Sequence, residues 1–250
     1  MSKRFLAAAC AAATALALSA CSSAPSSEGN ASKDGTLTVM ASFYPLQYLA
    51  EKIGGEHVTV TSLTPAGAEP HDLELSPKTV DALASADAVV YLAGFQAAVD
   101  EAIEQQAPTT VIDVSPAVEL VEANSSANHP SEDEDADEAQ SGESATEEHE
   151  GHDHEGHHHD MSTDPHFWLD PVRMASAATL VGDKLAEADP ANADTYKANA
   201  QALNEELSAL GDDLVAKTAT CQIKTFVTAH TAFGYLADRT GLTQVGISGL

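Results

Sequence analysis

From Thr36 onward the sequence alternates between short β-rich segments and amphipathic segments, and this alternation restricts the fold more than any other feature. "LTVMASF", "HVTVTSL", "DAVVYL" and "TTVIDVS" are short and rich in β-branched residues, which predicts four strands. Between them lie "YPLQYLAEKIGG", which has helical spacing and ends in two glycines, "SPKTVDALASA", which opens with a capping Ser76 before Pro77, and "FQAAVDEAIEQQ". Such alternation favours an α/β fold, a parallel sheet with helices on both faces.

After an interruption over residues 122–162, the pattern resumes at Asp170, an N-cap residue followed by proline. It predicts two further helices. The first carries apolar residues at 4-3-4 spacing from Met174 to Leu185, and the second carries one stripe from Tyr196 to Leu214. "QIKTFVTA" and "LTQVGIS" then predict two strands around a helix, "TAFGYLADRT". So few residues follow Leu214 that they could not close a hydrophobic core alone. We therefore expect a truncated record of a longer chain; a short natural C-terminal lobe is the alternative.

Residues 122–162 interrupt the pattern. Fourteen of the 39 acidic residues lie between Glu122 and Asp160, where no Lys or Arg occurs and no apolar periodicity exists. Such a segment cannot bury enough apolar surface to offset the entropy lost on ordering. We predict a disordered acidic insertion.

The N-terminus is typical of an exported protein. Lys3 and Arg4 precede a short apolar run, so residues 1–20 are predicted to be a signal peptide rather than a membrane span. "LSAC", ending at Cys21, resembles a bacterial lipobox, in which the cysteine is lipidated; an ordinary signal peptide cut near Ala20 is the alternative. Lipidation would anchor the protein on the outer side of a membrane, or in the periplasm, through a flexible tether over 21–35.

Charge excludes two classes of partner. Without residues 1–20, nine Lys and Arg face 39 Asp and Glu, a formal charge of −30. Nucleic acid and anionic lipid are therefore not expected to bind. Cys221 is the only cysteine beyond Cys21, and the sequence leaves open whether it is a buried small hydrophobe or half of a disulfide.

Four histidines lie outside the insertion. His57 precedes a strand and is expected to face solvent. His71 follows the second strand in "TPAGAEPHDLELSP", His166 lies between prolines in "DPHFWLDP", and His230 marks a strand-to-helix passage in "FVTAHTAFGYLA". Ligands of open α/β sheets bind outside the carboxyl ends of strands. A single histidine in such a loop would be interpreted as a structural residue. Three histidines in loops of this kind favour a zinc site completed by one oxygen ligand.

Four motifs, "GAEPHDLELSP", "DPHFWLDP", "DPANADTYKANA" and "FVTAHTAFGYLADRTGL", resemble in order and spacing the metal-binding solute-binding proteins of bacterial zinc and manganese ABC importers. The resemblance covers nearly all of 36–250. It implies two α/β lobes joined by one long rigid helix, with metal in the cleft between them. The implied bounds are an N-terminal lobe over 36–188, a linking helix over 189–217 and an incomplete C-terminal lobe over 218–250.

The resemblance also implies the ligands. His71 and His166 come from the N-terminal lobe and His230 from the C-terminal lobe. Manganese-selective relatives typically carry glutamate at the third position, so His230 favours zinc, with manganese as the alternative metal. The family's fourth ligand is usually a late aspartate, for which this sequence has no match. Glu69 or water could supply the oxygen, although a solvated loop carboxylate is the plainer interpretation of Glu69; Asp170 is expected to be an N-cap.

The insertion carries a second set of zinc-binding side chains. A flexible segment must lose entropy to chelate a metal, so we expect an accessory, low-affinity collector of zinc near the cleft rather than the main site. The resemblance agrees, because zinc-binding members often carry such a loop. A solvated spacer is the alternative. The residues concerned are His149, His152, His154, His157, His158 and His159.

The sequence therefore predicts a receptor that captures Zn²⁺ as transported substrate and delivers it to an ABC-transporter permease. We expect a monomer without enzymatic activity. One alternative is a surface zinc-storage protein or adhesin, in which the histidine-rich segment carries the function. The other is a zinc hydrolase, since three histidines with an open position also describe catalytic zinc, but no "HExxH" or similar signature occurs.

Overall fold

The computed structural model describes residues 35–123 and 163–247. The predicted α/β class is confirmed: parallel strands are flanked by helices, and one helix is much longer than the rest. In chain order the elements are β1 (Leu37–Ala41), α1 (Tyr44–Gly54), β2 (Val58–Ser62), α2 (Pro77–Leu83), β3 (Ala88–Tyr91), α3 (Ala97–Gln106), β4 (Val111–Asp113), α4 (Ser115–Val118), α5 (Pro171–Ala188), α6 (Ala193–Thr218), β5 (Thr225–Thr228), α7 (Gly234–Thr240) and β6 (Thr243–Gly246).

The first four strands form one parallel sheet in the order β2-β1-β3-β4. Side chains alternate between the two faces of a strand, so neighbouring residues of β1 pack in different hydrophobic clusters. Val39 belongs to the cluster that includes residues of α1 and α5, and Met40 to the cluster that includes residues of α2 and α3. Val90 and Val89 of β3 divide in the same way. The sheet is therefore buried on both faces, as parallel sheets require.

Helices α5 and α6 pack tightly against each other beside this sheet. Gly182 of α5 lies so close to α6 that a Cβ there would come within 2.3 Å of the Ala200 Cβ. The apolar stripe of α6 is buried only in its first half. Tyr196 and Leu203 are buried, whereas Leu210 is 46% exposed. The role of this helix as a link between two lobes stays a prediction.

The second sheet contains β5 and β6, paired in parallel with Thr225 opposite Thr243. Between these strands, α7 ends at Thr240, and the following C-cap residue, Gly241, has a positive φ of 64°, which suits glycine. Cys221, just after α6, is exposed and forms no disulfide with any described residue, so the buried alternative was wrong.

Several predicted features lie outside the described residues: the signal peptide, lipidated Cys21, the tether as far as 34, and positions 124–162 of the insertion with all six clustered histidines. Within 35–123 and 163–247, none of the helices combines the length and apolarity that a membrane crossing demands. The four-residue α4 and the 3₁₀ helix at Phe167–Leu169 were not predicted, because one helical turn leaves no apolar period to detect.

Candidate metal centre

Three histidines from three separate parts of the chain meet at one point. The Nε2 atom of His166 lies 3.3 Å from Nε2 of His71 and 3.1 Å from Nε2 of His230. The ligand atoms of all three residues lie within 4.8 Å of one another. His71 follows β2 and His230 follows β5, so the point lies at the carboxyl ends of both sheets.

The spacing of these nitrogens suits a single metal ion. Tetrahedral zinc with Zn–N bonds of about 2.0–2.1 Å holds its nitrogen ligands about 3.3–3.4 Å apart. Two of the three separations, 3.3 and 3.1 Å, fall at or just under that span. Three imidazoles so arranged could bind one borderline-soft divalent cation with little rearrangement of their side chains.

A buried glutamine holds the loop that carries His71. The amide of Gln96, at the N-terminal end of α3, donates to the Pro70 carbonyl at 2.9 Å and to Thr64 Oγ1 at 3.0 Å. The His71 ring packs edge-on against Phe95, with centroids 5.0 Å apart. Burial, followed by the neighbouring His166, lowers the pKa of His71 below 6.5. The imidazole is therefore neutral at neutral pH, the form that binds metal.

Asp164 fixes both the backbone and the ring of His166. One carboxylate oxygen, Oδ1, accepts the His166 backbone N–H at 2.9 Å and pairs with ring Nδ1 at 2.7 Å. A carboxylate only accepts hydrogen bonds, so this contact places the ring proton on Nδ1 and leaves the Nε2 lone pair facing the other histidines. Asp164 and His166 are both buried, and the ring packs against Trp168 with centroids 5.1 Å apart.

A second buried glutamine holds the backbone around His230. Gln244, on β6, donates to the His230 carbonyl at 3.1 Å and to Thr228 Oγ1 at 2.6 Å, and accepts the Phe233 N–H at 3.0 Å. The Thr228 hydroxyl also donates to the His230 carbonyl, at 2.8 Å. Each histidine thus depends on a buried polar side chain that is not itself a ligand: Gln96, Asp164 or Gln244.

The remaining candidates lie apart from this group. Glu69 accepts the His71 backbone N–H at 3.2 Å, and no fourth His, Cys, Asp or Glu ligand atom within 35–123 and 163–247 joins the three histidines. Asp170 accepts the Val172 N–H, which confirms it as the N-cap of α5. His57 is half-buried beside Tyr196 rather than facing solvent, because the ring contacts the start of α6.

The ends of the insertion lie next to the histidines. Glu122 and Thr163 form an antiparallel bridge, and the Asp164 N–H donates to the Val121 carbonyl at 2.9 Å. The chain therefore leaves and re-enters the fold at one place, only a few residues before His166. The accessory histidines themselves lie outside the described residues.

Comparison with known proteins identifies one family. Residues 39–250 match the model of the zinc-uptake complex component A periplasmic family. The chain is 32% identical over 228 residues to the zinc-binding protein AdcA of Streptococcus pyogenes, covering 87% of this chain and 40% of that protein. It is 33% identical over 239 residues to the high-affinity zinc uptake system protein ZnuA of Bacillus subtilis, covering 94% and 68%.

A solved structure supports the same grouping. The crystal structure of Zn(II)-bound AdcA from Streptococcus pneumoniae superimposes with a TM-score of 0.67 at 27% identity, covering 86% of this chain and 40% of that one. The chain thus spans 40% of the length of the streptococcal AdcA proteins.

Proposed function

Because this chain belongs to the zinc-uptake complex component A periplasmic family, we propose that it is an extracytoplasmic receptor that captures Zn²⁺ with His71, His166 and His230 and delivers it to an ABC-transporter permease. The observation that carries this proposal is the convergence of three histidines from three loops, with His166 Nε2 at zinc-ligand spacing from both His71 Nε2 and His230 Nε2. Zinc here is the transported substrate, so the function is binding and release.

The donor set favours zinc over manganese. Imidazole nitrogens suit zinc, whereas manganese prefers carboxylate and water oxygens. All three donors that meet in the described part of the chain are imidazoles. A water or one oxygen ligand would complete tetrahedral coordination; Glu69 supplies it only if its side chain leaves the His71 N–H.

The hydrolase alternative is weaker. Catalytic zinc needs a general base within reach of the metal-bound water. Asp164 is buried, and its Oδ1 already pairs with His166. The Glu69 carboxylate is likewise hydrogen-bonded to backbone.

In the storage or adhesin alternative, the histidine-rich segment would have the main role. Loss of all zinc binding on removal of that segment would favour this alternative.

The domain arrangement and location belong to the same proposal. Residues 36–188 would form the N-terminal lobe, 189–217 the linking helix and 218–250 part of the C-terminal lobe, in a monomeric receptor. A signal peptide over 1–20 would direct export and then be removed. A lipid on Cys21 would anchor the protein at the outer side of the membrane, through the tether over 21–35. Incorporation of labelled fatty acid into the chain, and its loss in Cys21→Ala, tests the anchor.

The histidine-rich insertion would act as a zinc collector. Its two ends are joined by the Glu122–Thr163 bridge, close to His166, so zinc held loosely along it would remain near the site. Deletion of residues 131–160 should slow growth of zinc-starved cells while leaving the tight site intact. Unchanged uptake in such cells would instead support a solvated spacer.

Calorimetric titration with zinc tests the receptor site. Structural zinc sites are worth about 10–16 kcal/mol over four ligands, or roughly 2.5–4 kcal/mol each. Alanine at His71, His166 or His230 should therefore weaken binding by about a hundredfold or more. His57→Ala is the matched control, a half-buried histidine outside the group. Small, equal losses for all four variants would contradict the assignment.

A further inference from the structure

Helix α7 contacts the segment that carries His166 at two places, one on each side of the histidine. The buried Tyr235 hydroxyl donates to the Asp164 carbonyl at 2.6 Å, two residues before His166. One turn further along α7, the Arg239 guanidinium pairs with both carboxylate oxygens of Asp170, four residues after His166; its Nη2 lies 2.7 Å from Oδ2. The segment 164–170 is therefore held at both ends by one helix.

The first contact continues to the imidazole ring. Tyr235 donates to the backbone carbonyl of Asp164, and the carboxylate of the same residue holds the His166 ring at Nδ1, 2.7 Å away. The Tyr235 hydroxyl also accepts the Val121 N–H at 3.0 Å, so its position is fixed by two bonds. Burial raises the pKa of Tyr235 above 10, which keeps the hydroxyl protonated and able to donate.

The second contact is strong because Asp170 is almost fully buried. Its side chain is 2% exposed, and besides Arg239 it accepts the Val172 N–H as the N-cap of α5. A two-point Arg–carboxylate pair fixes direction as well as distance. Arg173 also lies near this carboxylate, with Nε 3.4 Å from Oδ2, so a shift of Asp170 toward solvent would break the cap and both ion pairs.

We propose that Tyr235 and Arg239 are positioning residues of the metal centre, which hold His166 Nε2 at the separation from His230 Nε2 that one zinc ion requires. Helix α7 begins four residues after His230, so a single short helix is tied to both histidines. The site is thereby preorganised, and zinc binding does not have to order these loops. This inference rests on the proposed function.

A pair of tyrosine variants tests the first contact, in the full chain without its predicted signal peptide. Tyr235→Phe removes the hydroxyl and keeps the ring. Tyr196→Phe is the matched control, because Tyr196 is also buried and its hydroxyl donates to Asp189 at 2.9 Å, away from the three histidines of the metal centre. We expect the zinc Kd to rise about tenfold in Tyr235→Phe, within the range for groups behind a metal ligand, and to stay within about twofold in Tyr196→Phe.

An ion-pair series tests the second contact. Arg239→Gln should weaken zinc binding about tenfold, and Arg239→Lys should recover part of that loss by restoring the charge without the two-point geometry. Lys184→Gln, which breaks the exposed Lys184–Glu187 pair, should leave the Kd unchanged. The visible absorption of bound Co²⁺ reports coordination geometry, and it should change in Tyr235→Phe and Arg239→Gln but not in the two controls.

Equal effects on zinc binding in Tyr235→Phe and Tyr196→Phe would show general destabilisation and overturn the inference. Unchanged zinc affinity and Co²⁺ spectra in both Tyr235→Phe and Arg239→Gln would also overturn it. Failure of the unsubstituted chain to bind zinc would overturn the proposed function and this inference with it. Tight binding by that chain, unaffected by changes in α7, would overturn the inference alone.

Discussion

Replacing His166 by alanine should destabilise the protein even without metal, and the other two histidines should not behave in this way. The ring of His166 is the hydrogen-bond partner of Asp164 Oδ1 at 2.7 Å. Both residues are buried, and the other oxygen of Asp164, Oδ2, has no partner among the described residues. His166→Ala would therefore leave a buried carboxylate with only the backbone N–H of residue 166.

The size of this effect can be worked from that contact. A hydrogen bond to a charged group contributes about 1.5–3 kcal/mol to stability. In a chain of this length 1 kcal/mol corresponds to about 2–4 °C in Tm, so metal-free His166→Ala should melt about 3–12 °C lower. The His71 ring is not bonded to a carboxylate among the described residues; its backbone N–H contacts Glu69 instead. Metal-free His71→Ala should therefore melt close to the unsubstituted protein.

Thermal unfolding in a chelator measures this difference. The double variant Asp164→Ala/His166→Ala separates a lost bond from a buried unpaired carboxylate. Removing both partners should cost less than the sum of the single changes, because no uncompensated group remains. Equal melting temperatures for the alanine variants of His71, His166 and His230, or strict additivity in the double variant, would refute the role given to Asp164.

Three further changes have definite expected outcomes. Gln244→Leu removes three hydrogen bonds around His230 and should raise the zinc Kd at least tenfold in a chelator-competition assay; an unchanged Kd would remove Gln244 from the site. Gly182→Ala forces a Cβ to within 2.3 Å of the Ala200 Cβ and should cost about 1–3 kcal/mol in chemical denaturation, with zinc affinity preserved. Because burial lowers the pKa of His71, protons should compete with zinc at this ligand only at a lower pH than at an ordinary imidazole. Calorimetry should therefore show affinity holding near neutrality and falling on further acidification, and a loss already complete at neutral pH would contradict this.

Local patterns predicted every strand and every helix longer than one turn. Strands of a parallel sheet are buried on both faces, so "DAVVYL" is continuous in apolar residues and easily recognised. Ser76 and Asp170 were predictable as N-caps because capping needs only the following turn of chain. The half-exposed end of the α6 stripe could not be predicted, since periodicity identifies an apolar face but not what packs against it.

The residues that support the histidines were harder to predict. Asp164 had a local signal, because a carboxylate two residues before a histidine can reach both its backbone N–H and its ring. Gln96 and Gln244 had none, because Gln96 bonds to Pro70, 26 residues away, and Gln244 bonds to His230, 14 residues away, through contacts that exist only after folding. Buried amides in a sequence look like ordinary surface residues until their partners are known.

The arrangement of these supports suggests why the solitary histidines, rather than the clustered ones, would bind zinc most tightly. A chain that must order itself around an ion loses conformational entropy with every ligand recruited. At the three-histidine site that entropy has already been lost, because Gln96, Asp164 and Gln244 hold the three loops through hydrogen bonds of 2.7–3.1 Å. Three preset nitrogens should therefore bind more tightly than the six histidines of the insertion, which the sequence predicts to be disordered. If the insertion is disordered as predicted, the same logic would suit it to transient capture, since weak binding permits transfer of the ion to His166 and its partners.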